Sequence, residues 1–213
     1  MAELLSKGLF ITFEGIDGCG KSTQMLKLSE YFNSKYIPYM ILREPGGTVV
    51  GEKIREVLLD KKNDGMDPIC ELLLFEAARA QIVSEVIRPS LDSGMTVLCD
   101  RFFDSTYAYQ GFARGLGSGT VEMLNKTATS GLKPDITFLF DLDPVAAFER
   151  RGIRGEAEDR MEALGLKFQE DVRAGYLDLA SKESDRVKLI DASRSPEEIF
   201  EDVVRIVDEK VNK

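Results

Sequence analysis

Gly15-Ile16-Asp17-Gly18-Cys19-Gly20-Lys21-Ser22 sets three glycines, a lysine and a hydroxyl at the spacing of a polyphosphate-holding loop, G-x-x-x-x-G-K-[ST]. Gly15, Gly18 and Gly20 let backbone N–H groups turn inward as a nest for anions, at the positive end of the helix that should follow. Lys21 brings a point charge to the outer phosphates of a nucleoside triphosphate such as ATP, and the Ser22 hydroxyl suits a Mg²⁺ ion. Ile16, Asp17, Cys19 and Thr23 complete the cradle, Cys19 as a small filler. The plain alternative is a glycine-rich turn that happens to carry Lys and Ser. The flanks argue against it: Leu9-Phe10-Ile11-Thr12-Phe13 is an apolar β-rich run, and Gln24 to Phe32 has helical spacing.

Further charges stand where strands should end. Arg43 closes Pro38-Tyr39-Met40-Ile41-Leu42-Arg43 and opens the stiff turn Glu44-Pro45-Gly46-Gly47-Thr48, while Asp100-Arg101 follows Thr96-Val97-Leu98-Cys99. An Asp in that place suits Mg²⁺ held through water, and Arg101 beside it suits a second phosphate. Read singly, Asp100 is a helix cap, and Arg43 and Arg101 form surface ion pairs with Glu44 and Asp104. Phe75 and Arg79 lie four apart on one helical face, able to stack a base and hydrogen-bond its edge, although spacing alone favours a core ring with an arginine passing it. Arg150, Arg151, Arg154 and Arg160 fall within eleven residues with Gly152 and Gly155. Such a segment, about 150–160, serves as a lid carrying cations over a transferring phosphoryl group, or as a salt-bridged surface with its neighbouring acids.

To position these residues the chain must alternate strands and helices. Strands are expected over 9–13, 38–43, 96–100, 136–141 and 187–191. Helices are expected over about 24–32, 51–59, 67–91, 104–109, 120–130, 144–151, 160–181 and 196–210, with Thr48 an N-cap and Asp67-Pro68 a cap with proline in the first turn. Pro89 is expected to bend the end of the long helix. This pattern predicts an α/β fold of the P-loop NTPase kind, a five-stranded parallel sheet with helices on both faces, and ligands at the strands' carboxyl ends.

At 213 residues, 43% hydrophobic and 31% charged, the chain suits one domain over 1–213. A net charge of −9 speaks against nucleic acid or an acidic membrane surface as partner, so a basic site must be local. Three separated cysteines and no histidine exclude a disulfide scaffold and a Cys/His zinc site, and leave proton transfer to carboxylates, lysine, tyrosine or water. Met1 to Lys7 lacks the apolar core of a signal peptide and no apolar run approaches 18 residues, so a cytoplasmic protein outside the membrane is expected.

In order and at about the right spacing, six segments resemble the thymidylate kinases: Phe13 to Thr23, Arg43 to Thr48, Phe75-x-x-x-Arg79, Asp100-Arg101-Phe102, Ser105 to Gly111 and Asp159-Arg160-x-Glu162. The resemblance runs from Phe10 to about Asp191. It implies phosphoryl transfer from Mg·ATP to dTMP by a homodimer. It assigns Asp17 to the deoxyribose 3′-hydroxyl, Phe75 to thymine stacking, Arg79 to the base O4, Arg43 and Arg101 to the monophosphate, and Asp100 with Ser22 to Mg²⁺. Thr106 falls at the base edge, Tyr109 where a ring excludes a ribose 2′-hydroxyl, and Arg150 against adenine. Catalysis goes to Lys21, Arg101 and a lid arginine, Arg154 above all, as in the bacterial type whose phosphate loop lacks an arginine. Two departures stand out: Phe102 replaces the Tyr or His frequent there, and the lid is about one residue longer than in some relatives. A kinase for another nucleoside monophosphate would keep the loop and change the Phe75, Arg79, Thr106 and Tyr109 pocket. A GTP switch protein would need Asn-Lys-x-Asp, and Asn125-Lys126-Thr127-Ala128 lacks the Asp.

Overall fold

The computed structural model describes residues 8–154 and 159–211, the side chains of 153 and 154 excepted. Five short strands, β1 (Phe10–Glu14), β2 (Tyr39–Arg43), β3 (Thr96–Asp100), β4 (Ile136–Asp141) and β5 (Val187–Asp191), form one parallel sheet in the order β2-β3-β1-β4-β5. The strands fall within a residue of the sequence expectation. β1, β3 and β4 are buried nearly throughout, whereas the edge strands β2 and β5 are partly exposed, since only a doubly covered strand must be apolar on both faces.

Around the sheet lie α1 (Lys21–Ser34), α2 (Val49–Leu59), α3 (Pro68–Ile82), α4 (Arg88–Asp92), α5 (Phe103–Thr106), α6 (Ser118–Ala128), α7 (Pro144–Arg154), α8 (Gly165–Lys182) and α9 (Pro196–Val211). Thr48 caps α2 through Gly51 N–H, and the Asp67 carboxylate caps α3 ahead of Pro68, as expected. The long helix is not continuous: a π-helical turn, Val83–Ile87, absorbs the misfit ahead of Pro89 and hands the chain to α4. A second π-helical turn, Tyr107–Ala113, extends α5. α8 starts at Gly165, five residues later than predicted, because Gly165 takes φ +82 and a single 3₁₀ turn, Glu162–Leu164, precedes it. α7 runs on to Arg154, so the first arginines of the expected lid are helical.

Two cores result. Ile11, Phe13, Phe138 and Phe140 meet Leu28, Phe32, Val172 and Val203 on one face, and Phe10, Val97 and Cys99 meet Ile82, Val83, Ile87 and Phe102 on the other. Leu72, Ile82 and Val83 thus spend the apolar side of the long helix on the core, while Leu73 stays exposed. Sequence order reverses at β1, which lies between β3 and β4. The crevice at its carboxyl end is where a doubly covered parallel sheet receives ligands.

Candidate active site

The phosphate loop fills that crevice. Gly15, Gly18 and Gly20 all have positive φ, and a Cβ on Gly15 would stand 2.5 Å from the Phe140 carbonyl oxygen, so only glycine fits there. Gly20 heads α1 with neither a side-chain cap nor an acid in the first turn, which leaves the helix's first N–H groups to an anion. Lys21 is only 5% exposed, and its Nζ donates to the carbonyls of Gly15 and Ile16, both at 3.1 Å. Ser22 is exposed at the mouth, and Cys19 is a buried filler.

Adjacent strand ends are tied together at the backbone. Glu44 N–H donates to the Asp100 carbonyl and Arg101 N–H to the Phe13 carbonyl, bringing the turns after β1, β2 and β3 into one cleft of about 320 Å³. Asp17, Arg43, Phe75, Arg79, Asp100, Arg101, Thr106 and Tyr109, each singled out in the sequence, all line it.

Asp17 is the electrostatic centre. Its carboxylate accepts from Arg101 Nη2 at 2.6 Å and pairs with Lys21 Nζ at 3.6 Å. Burial alone would raise its pKa, but Arg101, Lys21 and Arg151 outweigh burial and hold it below the usual carboxylate range. Arg101 has φ +67, an unfavourable backbone for a side-chain-bearing residue, and the interactions of its guanidinium hold it there. That guanidinium donates to Ser105 Oγ and Tyr176 OH, both at 3.2 Å, and lies over the Tyr109 ring at 5.3 Å. Ser105 and Tyr176 in turn donate to Glu14, the residue just before the loop, at 2.6 and 2.8 Å. Glu14 is wholly buried, and burial, then Asp104, pushes its pKa up to about 7. Arg101 therefore pairs with Asp17 and not with Asp104, which is held bidentately by Arg186 at 2.6 and 2.9 Å.

Arg79 is 2% exposed and does not pass the core to solvent. Its guanidinium donates to Glu44 Oε2 at 2.9 Å, Glu76 Oε1 at 2.6 Å, Thr106 Oγ1 at 2.9 Å and Asn125 Oδ1 at 3.1 Å, and lies 5.5 Å from the centre of the Phe102 ring. That contact gives Phe102, the departure from the family pattern, a structural use. Two carboxylates share one cation here, so burial pushes Glu44 up to about 7 against the pull of Arg79. Phe75, half-buried, keeps a ring face on the cleft.

Asp100 Oδ1 is buried with no hydrogen-bond partner, so Asp100 does not cap the next helix. Asp100 and Ser22 each offer a hard oxygen of the kind Mg²⁺ takes when most of its other ligands are water and phosphate. No cluster of three acidic, cysteine or histidine side chains fit to enclose a metal exists among the described residues. Arg150 lies on the far side of the loop. It donates to the Ala192 carbonyl at 3.1 Å and lines a second cleft, about 330 Å³, with Gly18, Gly20, Thr23 and Arg194. The side chain of Arg154 and the lid residues 155–158 lie outside the described residues. Arg160 is no free lid cation: it is 4% exposed, pairs with the fully buried Glu71 at 2.6 Å and donates to the Leu58 carbonyl at 2.6 Å, anchoring the lid's trailing end to α2 and α3.

Sequence reasoning gave no role to Arg55, which lines the cleft beside Arg43 and donates to the Pro45 carbonyl at 2.9 Å, nor to Arg194 in the second cleft. The available signals were an arginine nearly two turns into the helix behind the Arg43 turn, and one just before the last helix.

Comparison with known proteins places the chain in a family. The thymidylate kinase family profile matches residues 13–203. A thymidylate kinase of Symbiobacterium thermophilum is 50% identical over 201 residues, covering 94% of this chain and 93% of that protein. One of Thermoanaerobacter sp. is 47% identical, covering 94% and 98%. The crystal structure of thymidylate kinase from Ehrlichia chaffeensis superposes with a TM-score of 0.74 at 34% identity, over 95% of this chain and 99% of that one.

Proposed function

The chain belongs to the thymidylate kinase family, and from that premise we propose which of its residues carry the reaction. The reaction is transfer of the γ-phosphoryl group of ATP to dTMP, giving dTDP. In our reading dTMP occupies the cleft of about 320 Å³ with thymine against Phe75, its edge toward Arg79 and Thr106, the 3′-hydroxyl on Asp17 and the phosphate on Arg43, Arg55 and Arg101. The ATP polyphosphate lies in the nest of Gly15 to Thr23, and the adenine end lies toward Arg150 and Arg194. Asp100 and Ser22 would hold Mg²⁺, which when bound neutralises charge on the polyphosphate.

The chemistry asks little covalent work of the protein. A dTMP phosphate oxygen is already largely deprotonated near neutral pH and attacks in line, so no side chain need act as base. Lys21, Arg101 and the lid arginine Arg154 offset charge on the transferring oxygens, and Tyr109 fixes Arg101 from above. The observation that carries this assignment is that Lys21 and Arg101, 80 positions apart in the chain, meet on the one Asp17 carboxylate between the two clefts. We further propose a cytoplasmic homodimer forming one kinase domain per chain. The exposed Ile69 and Leu73 on α3, with Val57 on α2, offer a surface to a second copy. The cysteines are free, and no helix among the described residues is long and apolar enough to cross a membrane.

The test is Lys21→Ala in a coupled assay with ATP and each deoxynucleoside monophosphate in turn. The wild type should prefer dTMP, and the variant should lose about 10³-fold or more in kcat with its Tm retained. Near-normal kcat would defeat the Lys21 assignment, and equal turnover of all monophosphates would defeat that of the base pocket.

A further inference from the structure

Arg151 is the described cation that the preceding account leaves unused, and it is built onto the phosphate loop. α7 abuts the loop at Gly18, where a Cβ would overlap the Ala147 carbonyl and stand 3.1 Å from Arg151 Cγ. The arm of Arg151 therefore starts at the loop and needs no lid movement to reach it. Its Nε and Nη1 are buried and make no hydrogen bond. Nη1 stands 3.4 Å from Glu162 Oε1, an ion-pair distance without hydrogen-bond alignment, and the guanidinium lies 5.5 Å from the centre of the Phe148 ring one turn back on α7. The Arg151 charge is also felt at Asp17, where it joins Arg101 and Lys21 in holding that carboxylate ionised. A guanidinium with two buried N–H groups unsatisfied, 18% exposed and beside an anion nest, is a costly feature unless an anion completes it. Glu162 does so poorly: burial raises its pKa and Asp17 and Asp159 raise it further, while Arg151 works against them. Two oxygens of a phosphate group on the loop offer the bidentate acceptor that the planar fork of Arg151 lacks.

We propose that Arg151 is a catalytic residue of the phosphoryl transfer, exchanging Glu162 for outer phosphate oxygens of ATP and acting beside Lys21 on the transferring group. The proposal rests on the kinase reading above and adds to it a cation at the leading, helical end of the lid segment, which α7 already holds against the phosphate loop.

The experiment measures wild type, Arg151→Ala, Arg151→Lys and Glu162→Gln, with ATP varied at saturating dTMP, calorimetric titration of dTMP, and thermal melts. Arg151→Ala should lower kcat by roughly 10²–10³-fold, the range for a lost transition-state donor, and raise the KM for ATP. The dissociation constant for dTMP should stay within about twofold and Tm within a few degrees, since an unsatisfied, half-buried cation contributes little to folding. Arg151→Lys, which keeps the charge without the fork, should recover no more than about tenfold. A kcat within threefold of wild type in Arg151→Ala overturns the proposal. So does an equal loss in Glu162→Gln, which would assign Arg151 to holding the 3₁₀ turn against α7. If the wild type itself fails to phosphorylate dTMP, the functional reading falls and this proposal with it. If the wild type is active and Arg151→Ala is equally active, this proposal alone falls.

Discussion

Replacing Arg79 by alanine tests the buried triad at the base end of the cleft. The change removes donors to Glu44 Oε2, Glu76 Oε1, Thr106 Oγ1 and Asn125 Oδ1 at once, and leaves two carboxylates, each about 5% exposed, with no cation. Breaking a buried ion pair by deleting one partner costs about 3–5 kcal/mol, which for a chain of this size lowers Tm by on the order of 10 °C. The loss must depend on pH. Burial raises Glu44 to about 7 and raises Glu76, and in both the charge of Arg79 opposes the rise, so in the variant both carboxyls go higher still. A carboxyl whose folded pKa exceeds its unfolded value contributes stability that is fully present below pH 4.5 and lost as pH rises through the folded pKa. Arg79→Ala should therefore be destabilised by about 3–5 kcal/mol at pH 8.5 and by roughly half as much at pH 5.5, read from urea melts at the two pH values. Equal losses at both pH values, or a loss under about 1 kcal/mol at pH 8.5, would refute the triad's role. A raised KM for dTMP in this variant reports on the base pocket only once the folded fraction is known. Arg79→Lys keeps one cation for two carboxylates and separates the two effects.

Two further outcomes follow from the loop and its supports. Tyr176→Phe removes the hydroxyl that accepts from Arg101 and donates to Glu14; it should cost about 1–2 kcal/mol of stability and roughly tenfold in kcat with the KM for ATP little changed, by melts and steady-state kinetics. Gly18→Ala forces a Cβ onto the Ala147 carbonyl at φ +91; calorimetric titration should show ATP affinity falling at least 10²-fold, while dTMP binding in its separate cleft persists.

The phosphate loop was legible because its pattern is local: three glycines, a lysine and a hydroxyl in eight residues, flanked by a strand and a helix. So were Arg43, Asp100 and Arg101, because parallel strands deliver their carboxyl ends to one edge. What held those residues in place was not legible. Tyr176 meets Glu14 across 162 positions and Arg101 across 75, and no periodicity reports such a meeting. Spacing alone made Arg79 an arginine passing the core edge, because the sequence shows a helix face without what packs on it; the structure gives it four acceptors. Arg160 read as a lid cation because composition is blind to Glu71, a fully buried carboxylate that also collects Gln110 and Arg114. The start of α8 was misplaced for a local reason, the positive φ of Gly165, which helical spacing cannot report.

A chain of net charge −9 that binds two polyanions needs local cations, and the way this cleft stores them bears on specificity. Arg101 and Lys21 rest on Asp17, Arg43 rests on Glu52 at 3.0 Å, and Arg151 stands against Glu162. Lys21, Arg101 and Arg151 are largely desolvated by folding and Arg43, more exposed, is oriented by its carboxylate, so a phosphate that enters exchanges one oxygen acceptor for another and need not order the side chains itself. Arg55 differs: it has no carboxylate partner among the described residues, and burial, then the neighbouring charge of Arg43, lowers its pKa. Two arginines side by side, one with a counterion and one without, favour a dianion over a monoanion, because a second negative charge relieves their mutual repulsion as well as meeting each in turn. A phosphate monoester ionised twice fits that demand and a diester does not. With dTMP placed as proposed, this is the discrimination that the acceptor end of the cleft needs to take up a terminal monophosphate.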